Sequence, residues 1–213
     1  SGRTTARAPD AYVRGLFDHY ADRYDRHLEA RLAYRVPGMF REMLRDAGVT
    51  ADGTLRVADL GCGTGLTGEA VADLSGFMVG VDLSPRMLER CRRRSCYTEL
   101  IERAVEPWLA ETPHRFDLVL AGDVLIYIGD LRPVFSGVAR VLESGGLFAF
   151  STETTEQAEY ELLPSGRYAH CLTSVDELLA ESGLEIVARR PAVIRVERDK
   201  PLDGHLTLVR RPA

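Results

Sequence analysis

The chain is predicted to be an α/β protein built on a doubly wound sheet, and three observations predict it. From residue 54 onward, short apolar runs alternate with segments of helical periodicity. The run Val57-Ala-Asp-Leu60 empties into three closely spaced glycines, 61, 63 and 65. A second run, Met78-Val-Gly-Val-Asp82, ends in an acid. With 213 residues, 45 % of them hydrophobic, the chain can bury one substantial core, and its length favours one domain.

Residues 1–9 are expected to be a disordered tail, with Ser1-Gly2 as the remnant of a cleaved tag. Residues 10–213 form the single domain. Its first part, 10–50, reads as a helical cover: Phe17, Tyr20, Tyr24 and Leu28 recur at helical spacing, and Pro37-Gly38 separates two helices. The cofactor-binding core spans 54–152, a substrate-side insertion 153–173, and a C-terminal helix and hairpin 174–213. Seven strands are read near 55–60, 78–82, 99–102, 116–121, 146–152, 184–195 and 204–210, with helices near 64–75, 85–94, 131–142 and 174–182. Ser84-Pro85 supplies an N-cap followed by proline at the first helical position, and Ser174 with Glu177 spells a capping box. Leu131, Val134, Phe135, Val138, Val141 and Leu142 share one helical face, which Gly145-Gly146 terminates. The long polar and aromatic connection 153–173 breaks the rhythm, as functional loops do.

Glycines at 61, 63 and 65 let the backbone turn tightly and approach a ligand, and a carboxylate at Asp82 can accept hydrogen bonds from a ribose diol. A dinucleotide fingerprint would need its third glycine at 66, where Leu66 stands. Asp59, just before the loop, would repel a pyrophosphate but suits a cofactor carrying an ammonium group, such as S-adenosylmethionine. In an open parallel sheet, ligands sit beyond the carboxyl ends of the strands, so Gly61, Asp82 and Asp123 aim at one crevice.

These residues resemble the class I S-adenosylmethionine-dependent methyltransferases from about Arg56 to Thr152. Val57–Gly65 resembles the family's first motif, Val79–Ser84 the segment ending in the ribose-binding acid, and Phe116–Ile128 the strand and loop bordering the transferred methyl. Tyr24-Asp-Arg-His-Leu28, Tyr34-Arg-Val-Pro37 and Pro164-Ser-Gly-Arg-Tyr-Ala-His170 are similar to a bacterial subgroup often fused to tetratricopeptide repeats. The resemblance implies a seven-stranded, mostly parallel Rossmann-like sheet of order 3-2-1-4-5-7-6 with the seventh strand antiparallel. It also implies S-adenosylmethionine as cofactor and S-adenosylhomocysteine as product.

On that resemblance, Gly61, Cys62, Gly63 and Gly65 form the loop beneath the methionyl part, Asp59 faces its ammonium, and Asp82 takes the ribose hydroxyls. Val105 offers a backbone N–H to the adenine, and Glu106 replaces the acid that relatives carry where Ala104 stands. Leu83 and Met87 sandwich the ring, with ordinary helix packing as the other reading of Met87. Tyr24 is a candidate to close over the cofactor carboxylate. His170 and then His27 are candidate general bases, because imidazole titrates near neutrality. Asp123 either touches cofactor or substrate, or caps a helix. Tyr20, Tyr34, Arg167 and Tyr168 are candidate acceptor contacts, Arg167 being equally suited to an internal salt bridge. Ala121-Gly-Asp-Val124 lacks the Asn-Pro-Pro-Tyr type of sequence that grips planar amides, and no acid and amide cluster suggests magnesium, so no metal is expected.

A formal net charge of −5 and a pI near 5.6 argue against nucleic acid. Arg92-Arg93-Arg94 reads as the solvated end of a helix. No run of about 18 apolar residues suggests a membrane span, and four cysteines without metal spacing suggest a reduced, cytoplasmic protein without disulfide or zinc. The expected partner is a small-molecule acceptor. A nicotinamide-dependent reductase, a protein methyltransferase and a non-catalytic cofactor-binding module are the competing readings, and the oligomeric state is not encoded legibly.

Overall fold

The computed structural model describes residues 5–21, 35–197 and 200–213, so Tyr24, His27 and Tyr34 lie outside the described residues. The sheet is built from β1 (Leu55–Leu60), β2 (Ser75–Asp82), β3 (Glu99–Glu102), β4 (Phe116–Ala121) and β5 (Leu142–Thr154), parallel and ordered β3-β2-β1-β4-β5. β9 (Lys200–Arg210) lies antiparallel to β5, and β8 (Glu185–Glu197) antiparallel to β9. With β8 as sixth strand and β9 as seventh, this is the predicted order and direction.

Two further strands sit inside the segment read as irregular. β6 (Tyr160–Leu162) and β7 (Tyr168–His170) form a hairpin, and β7 pairs in parallel with β5 through Glu153↔Ala169 and Thr154↔His170. Because Glu153 also pairs with Gly204 of β9, β7 must occupy the other edge of β5, the edge that β4 vacates after Phe150. Three-residue strands are too short to leave a period-2 signature.

Alternation along the strands divides two cores. One face sends Ala58, Val79, Val81, Phe148 and Phe150 toward α5 (Val105–Glu111), α6 (Arg132–Val141) and α7 (Leu172–Glu181). The other sends Val57, Met78, Leu118, Leu120 and Ala149 toward α2 (Val36–Asp46), which contributes Phe40, Met43 and Leu44. α1 (Asp10–Tyr20) and α4 (Pro85–Cys91) lean together near the carboxyl end of β2, where the Ser84 hydroxyl meets Asp18 Oδ1 at 2.5 Å. None of the described helices is long and apolar enough to cross a membrane.

Several sequence expectations need correction. Residues 5–9 are ordered: Ala8 N–H donates to the Tyr127 carbonyl, and Gly129 and Asp130 N–H donate to the Ala6 carbonyl, at 2.8–2.9 Å. Pro37 sits in the first turn of α2, where its missing N–H costs nothing, and does not divide two helices. The helix expected at 64–75 is only α3 (Leu66–Ala70), a 3₁₀ turn follows, and β2 starts three residues early. The helix expected at 85–94 passes into a 3₁₀ turn after Cys91. α7 begins at Leu172 with Cys171 as N-cap, so Ser174 lies inside the first turn and makes no capping box. α5 is an element that the sequence does not announce, since seven residues after a short strand give little periodicity.

Candidate active site

A crevice of about 650 Å³, counting its open mouth, lies beyond the carboxyl ends of β1, β2 and β4. Gly61, Gly63 and Asp82 form its floor. Leu83, Arg103, Val105 and Glu106 line the side next to β3, and Gly122, Asp123, Val124, Tyr127 and Ile128 line the side next to β4. Arg7, Ala8, Val13 and Phe17 close it from the N-terminal segment, with Phe17 edge-on to Tyr127 at 5.4 Å between ring centroids.

Asp82 is the organised acid of this crevice. Its Oδ2 accepts the Gly63 N–H at 2.9 Å and its Oδ1 the Ser84 N–H at 2.8 Å. A carboxylate has about four acceptor sites, so Asp82 can take a donor beyond these backbone N–H groups, as binding of a ribose hydroxyl requires. Burial raises the Asp82 pKa to about 6, against the lowering effect of those two N–H groups. At neutral pH the acid is still ionised and able to accept.

The glycine loop owes its composition to packing as well as to a ligand. Gly61, Gly63 and Gly65 all have positive φ, at 62°, 53° and 89°. A Cβ on Gly61 would stand 2.3 Å from the Val124 side chain, and one on Gly65 within 3.0 Å of Cys91, Arg94 and Tyr97. Arg94 is correspondingly not the solvated helix-end cation expected: its Nε donates to the Thr64 carbonyl at 2.7 Å and it pairs with Glu69. It braces the loop from behind. Asp123 has a φ of 58°, rare for a residue with a side chain, and its N–H donates to Ser151 Oγ at 2.8 Å.

Residues 57–146 match the family model described as a methyltransferase domain. Among curated relatives, the ubiquinone biosynthesis O-methyltransferase of Proteus mirabilis is 30 % identical over 122 residues, covering 54 % of this chain and 50 % of the relative. That of Thiobacillus denitrificans is 30 % identical over 151 residues, covering 61 % and 64 %. The chain thus spans about half the length of the first curated relatives it matches. Solved structures match over nearly the whole chain at low identity. N-methyltransferase NodS from Bradyrhizobium japonicum, in complex with S-adenosylhomocysteine, gives a TM-score of 0.71 at 19 % identity over 94 % of this chain and 99 % of that one. Magnesium protoporphyrin IX methyltransferase from Synechocystis, with bound S-adenosylmethionine, gives 0.69 at 20 % over 98 % and 100 %. The [4+2]-cyclase SpnF gives 0.74 at 16 % over 99 % and 100 %.

The fold is the Rossmann-like methyltransferase fold. Residues 57–146 carry the likeness to a methyltransferase domain, and the neighbours solved with S-adenosylhomocysteine or S-adenosylmethionine share the fold of nearly the whole chain.

Within this fold, Gly61, Gly63, Asp82, Leu83, Val105 and Asp123 lie at the crevice, and Glu106 lies there paired with Arg7 at 3.1 Å. Others do not. Asp59 shares the strand parity of Val57, so its side chain turns into the sheet face, where Tyr97 O–H donates to its Oδ2 at 2.6 Å. Burial raises its pKa to about 7, and it does not line the crevice. Cys62 packs behind the loop against Leu88 and Cys91, and burial pushes its thiol up. Gly65 starts α3 and faces Cys91. Met87 is fully buried in α4, which decides its two readings in favour of packing.

His170 is 2 % exposed on β7, its Nε2 donating to the Ile128 carbonyl at 2.9 Å, while its Nδ1 is buried without a partner. Burial lowers its pKa to about 4. It pins the loop after β4 and does not reach the crevice. Tyr168 is buried too, its hydroxyl 2.6 Å from Thr5 Oγ1. Arg167, at the hairpin turn, and Tyr20, at the end of α1, stand outside the crevice lining. Among the described residues, no group of three or more His, Cys, Asp or Glu is arranged to hold a metal.

Arg7, Val13 and Arg103 line the crevice without being sequence candidates, and Phe17, Tyr127 and Ile128 join them from segments that the sequence marks only as a helix face and a loop. Val13 and Phe17 lie four apart on α1, a spacing visible in the sequence, whereas nothing in the sequence marks Arg7.

Proposed function

We propose that the chain transfers the methyl group of S-adenosylmethionine to an oxygen or nitrogen nucleophile of a small molecule. The observation that carries this is Asp82, held at the crevice floor by the Gly63 and Ser84 N–H groups beside the left-handed glycines 61 and 63. In this reading Asp82 takes the ribose hydroxyls, Val105 and Leu83 meet the adenine, and Glu106 accepts from its amino group. The acceptor lies against Val124, Tyr127 and Ile128, an apolar wall suited to an apolar body, with Asp123 next to the nucleophile. Positioning supplies the rate gain: two reactants held in line need no covalent intermediate with the protein.

The named substrates of the relatives fit a small-molecule acceptor. The finer likeness to the subgroup fused to tetratricopeptide repeats and a cytoplasmic setting, which four free cysteines suit, belong to the same reading. A second reading has a specific observation behind it. The matched structure described as a [4+2]-cyclase shows that this fold also serves other chemistry, so a cofactor-binding protein without methyl transfer is the alternative. Incubation with methyl-labelled S-adenosylmethionine and extract of the producing organism, followed by mass spectrometry, separates the two. A labelled small molecule is expected; cofactor uptake without any labelled product favours the alternative.

A further inference from the structure

Residue 7 touches both rims of the crevice. In the order β3-β2-β1-β4, the segments that follow β3 and β4 are three strand spacings apart, about 14 Å. The backbone at Arg7 bridges to Ile128 on the β4 side, flanked by the Ala6 and Ala8 bonds to Asp130, Gly129 and Tyr127. Its guanidinium reaches Glu106, in the first turn of α5, on the β3 side. Between those anchors lie the tips of β2 and β1, which carry Asp82 and Gly61. Residues 5–8 are therefore a crossbar over the floor of the cofactor crevice.

One anchor is much weaker than the other. On the β4 side, three backbone hydrogen bonds, a β-bridge and the Thr5–Tyr168 contact hold the strap. On the β3 side, the Arg7–Glu106 pair is the strap's own ionic tie, with side chains 33 % and 14 % exposed; Arg7 also pairs with Asp10, and Arg14 of α1 pairs with Glu102 at 3.1 Å beyond the strap. We propose that Arg7 is a latch: its ion pair with Glu106 holds the crossbar shut, and cofactor exchange requires that pair to part while the β4 anchor stays made. This rests on the cofactor-site reading above. A molecule lying on Asp82 and Gly61 would be covered by the strap, so the latch governs the rate at which it enters and leaves more than how tightly it is held.

The test is stopped-flow binding of S-adenosylhomocysteine, read through Trp108, the chain's single tryptophan, two residues beyond Glu106. Arg7→Ala is expected to raise association and dissociation rate constants together, by about tenfold each, with Kd moving less than about threefold. Arg7→Lys should fall between. Arg7→Gln, which keeps most of the side chain and removes its charge, should speed association as Arg7→Ala does and decides the matter if Arg7→Ala does not fold. Added salt should accelerate exchange in the wild type and not in Arg7→Ala. Unchanged rates, or dissociation rising alone in step with Kd, would overturn the latch while leaving the cofactor site standing. Failure of the wild type to take up S-adenosylhomocysteine at all would overturn both.

Discussion

Asp59 and Asp82 are two aspartates near neighbouring strand ends with different duties: they share one face of the sheet, Asp59 lying beside Gly80, and their positions along the strands separate them. Asp82 is the last residue of its strand and can be met by backbone N–H groups from the glycine loop; Asp59 is followed by Leu60 and keeps the inward orientation of Val57. Both were legible as acids near strand ends, but which of them clears the sheet was not, because that depends on the residue at which each strand stops. For Asp59 the pKa, raised from 3.8 to about 7, has a stability consequence. Between about pH 4 and 7 the folded state keeps a proton that the unfolded chain has released, so stability falls as pH rises through that window and levels off above it. Asp59→Asn imitates the protonated form and still accepts from Tyr97. Its Tm should therefore drop less than the wild type's between pH 5.5 and pH 8, by at least about 2–4 °C. Parallel pH profiles of Tm would show that Asp59 titrates no differently when folded.

At the scale of elements, the insertion after β5 offers residue types suited to substrate contact, and the fold uses Tyr168 and His170 of it as scaffolding. β7 takes the edge of β5 that β4 gives up, which turns His170 and Tyr168 inward. The residue types were visible in the sequence; a three-residue strand pairing beyond a neighbour's end was not. His170 then becomes the support of the loop that carries Tyr127 and Ile128. Replacing it by leucine leaves the Ile128 carbonyl buried without its donor and should cost about 1–3 kcal/mol of stability. The pH profile of kcat/KM should keep its shape. If an inflection of that profile vanished in His170→Leu while the rate stayed measurable, His170 would be titrating in the reaction after all.

At the scale of the whole molecule, the alternation of strands and helices and the crevice beyond one glycine-rich turn were legible in the residues, whereas the sheet order was implied by the family resemblance and not by periodicity. What closes the crevice was legible in neither. The strap of residues 5–9 is polar, short and non-periodic, and reads as a tail until its partners at 127–130 are known. Function here is a matter of what that closure encloses, and the central claim is that it encloses a ribose on Asp82.

Isothermal titration of S-adenosylhomocysteine into the wild type and Asp82→Ala, at pH 7.5, tests this most directly. One site per chain is expected in the wild type, with affinity lower in Asp82→Ala by about 1–3 kcal/mol, roughly 5- to 150-fold, for the lost buried acceptor. An Asp82→Ala dissociation constant equal to the wild type's, or no heat of binding in the wild type, would contradict the account.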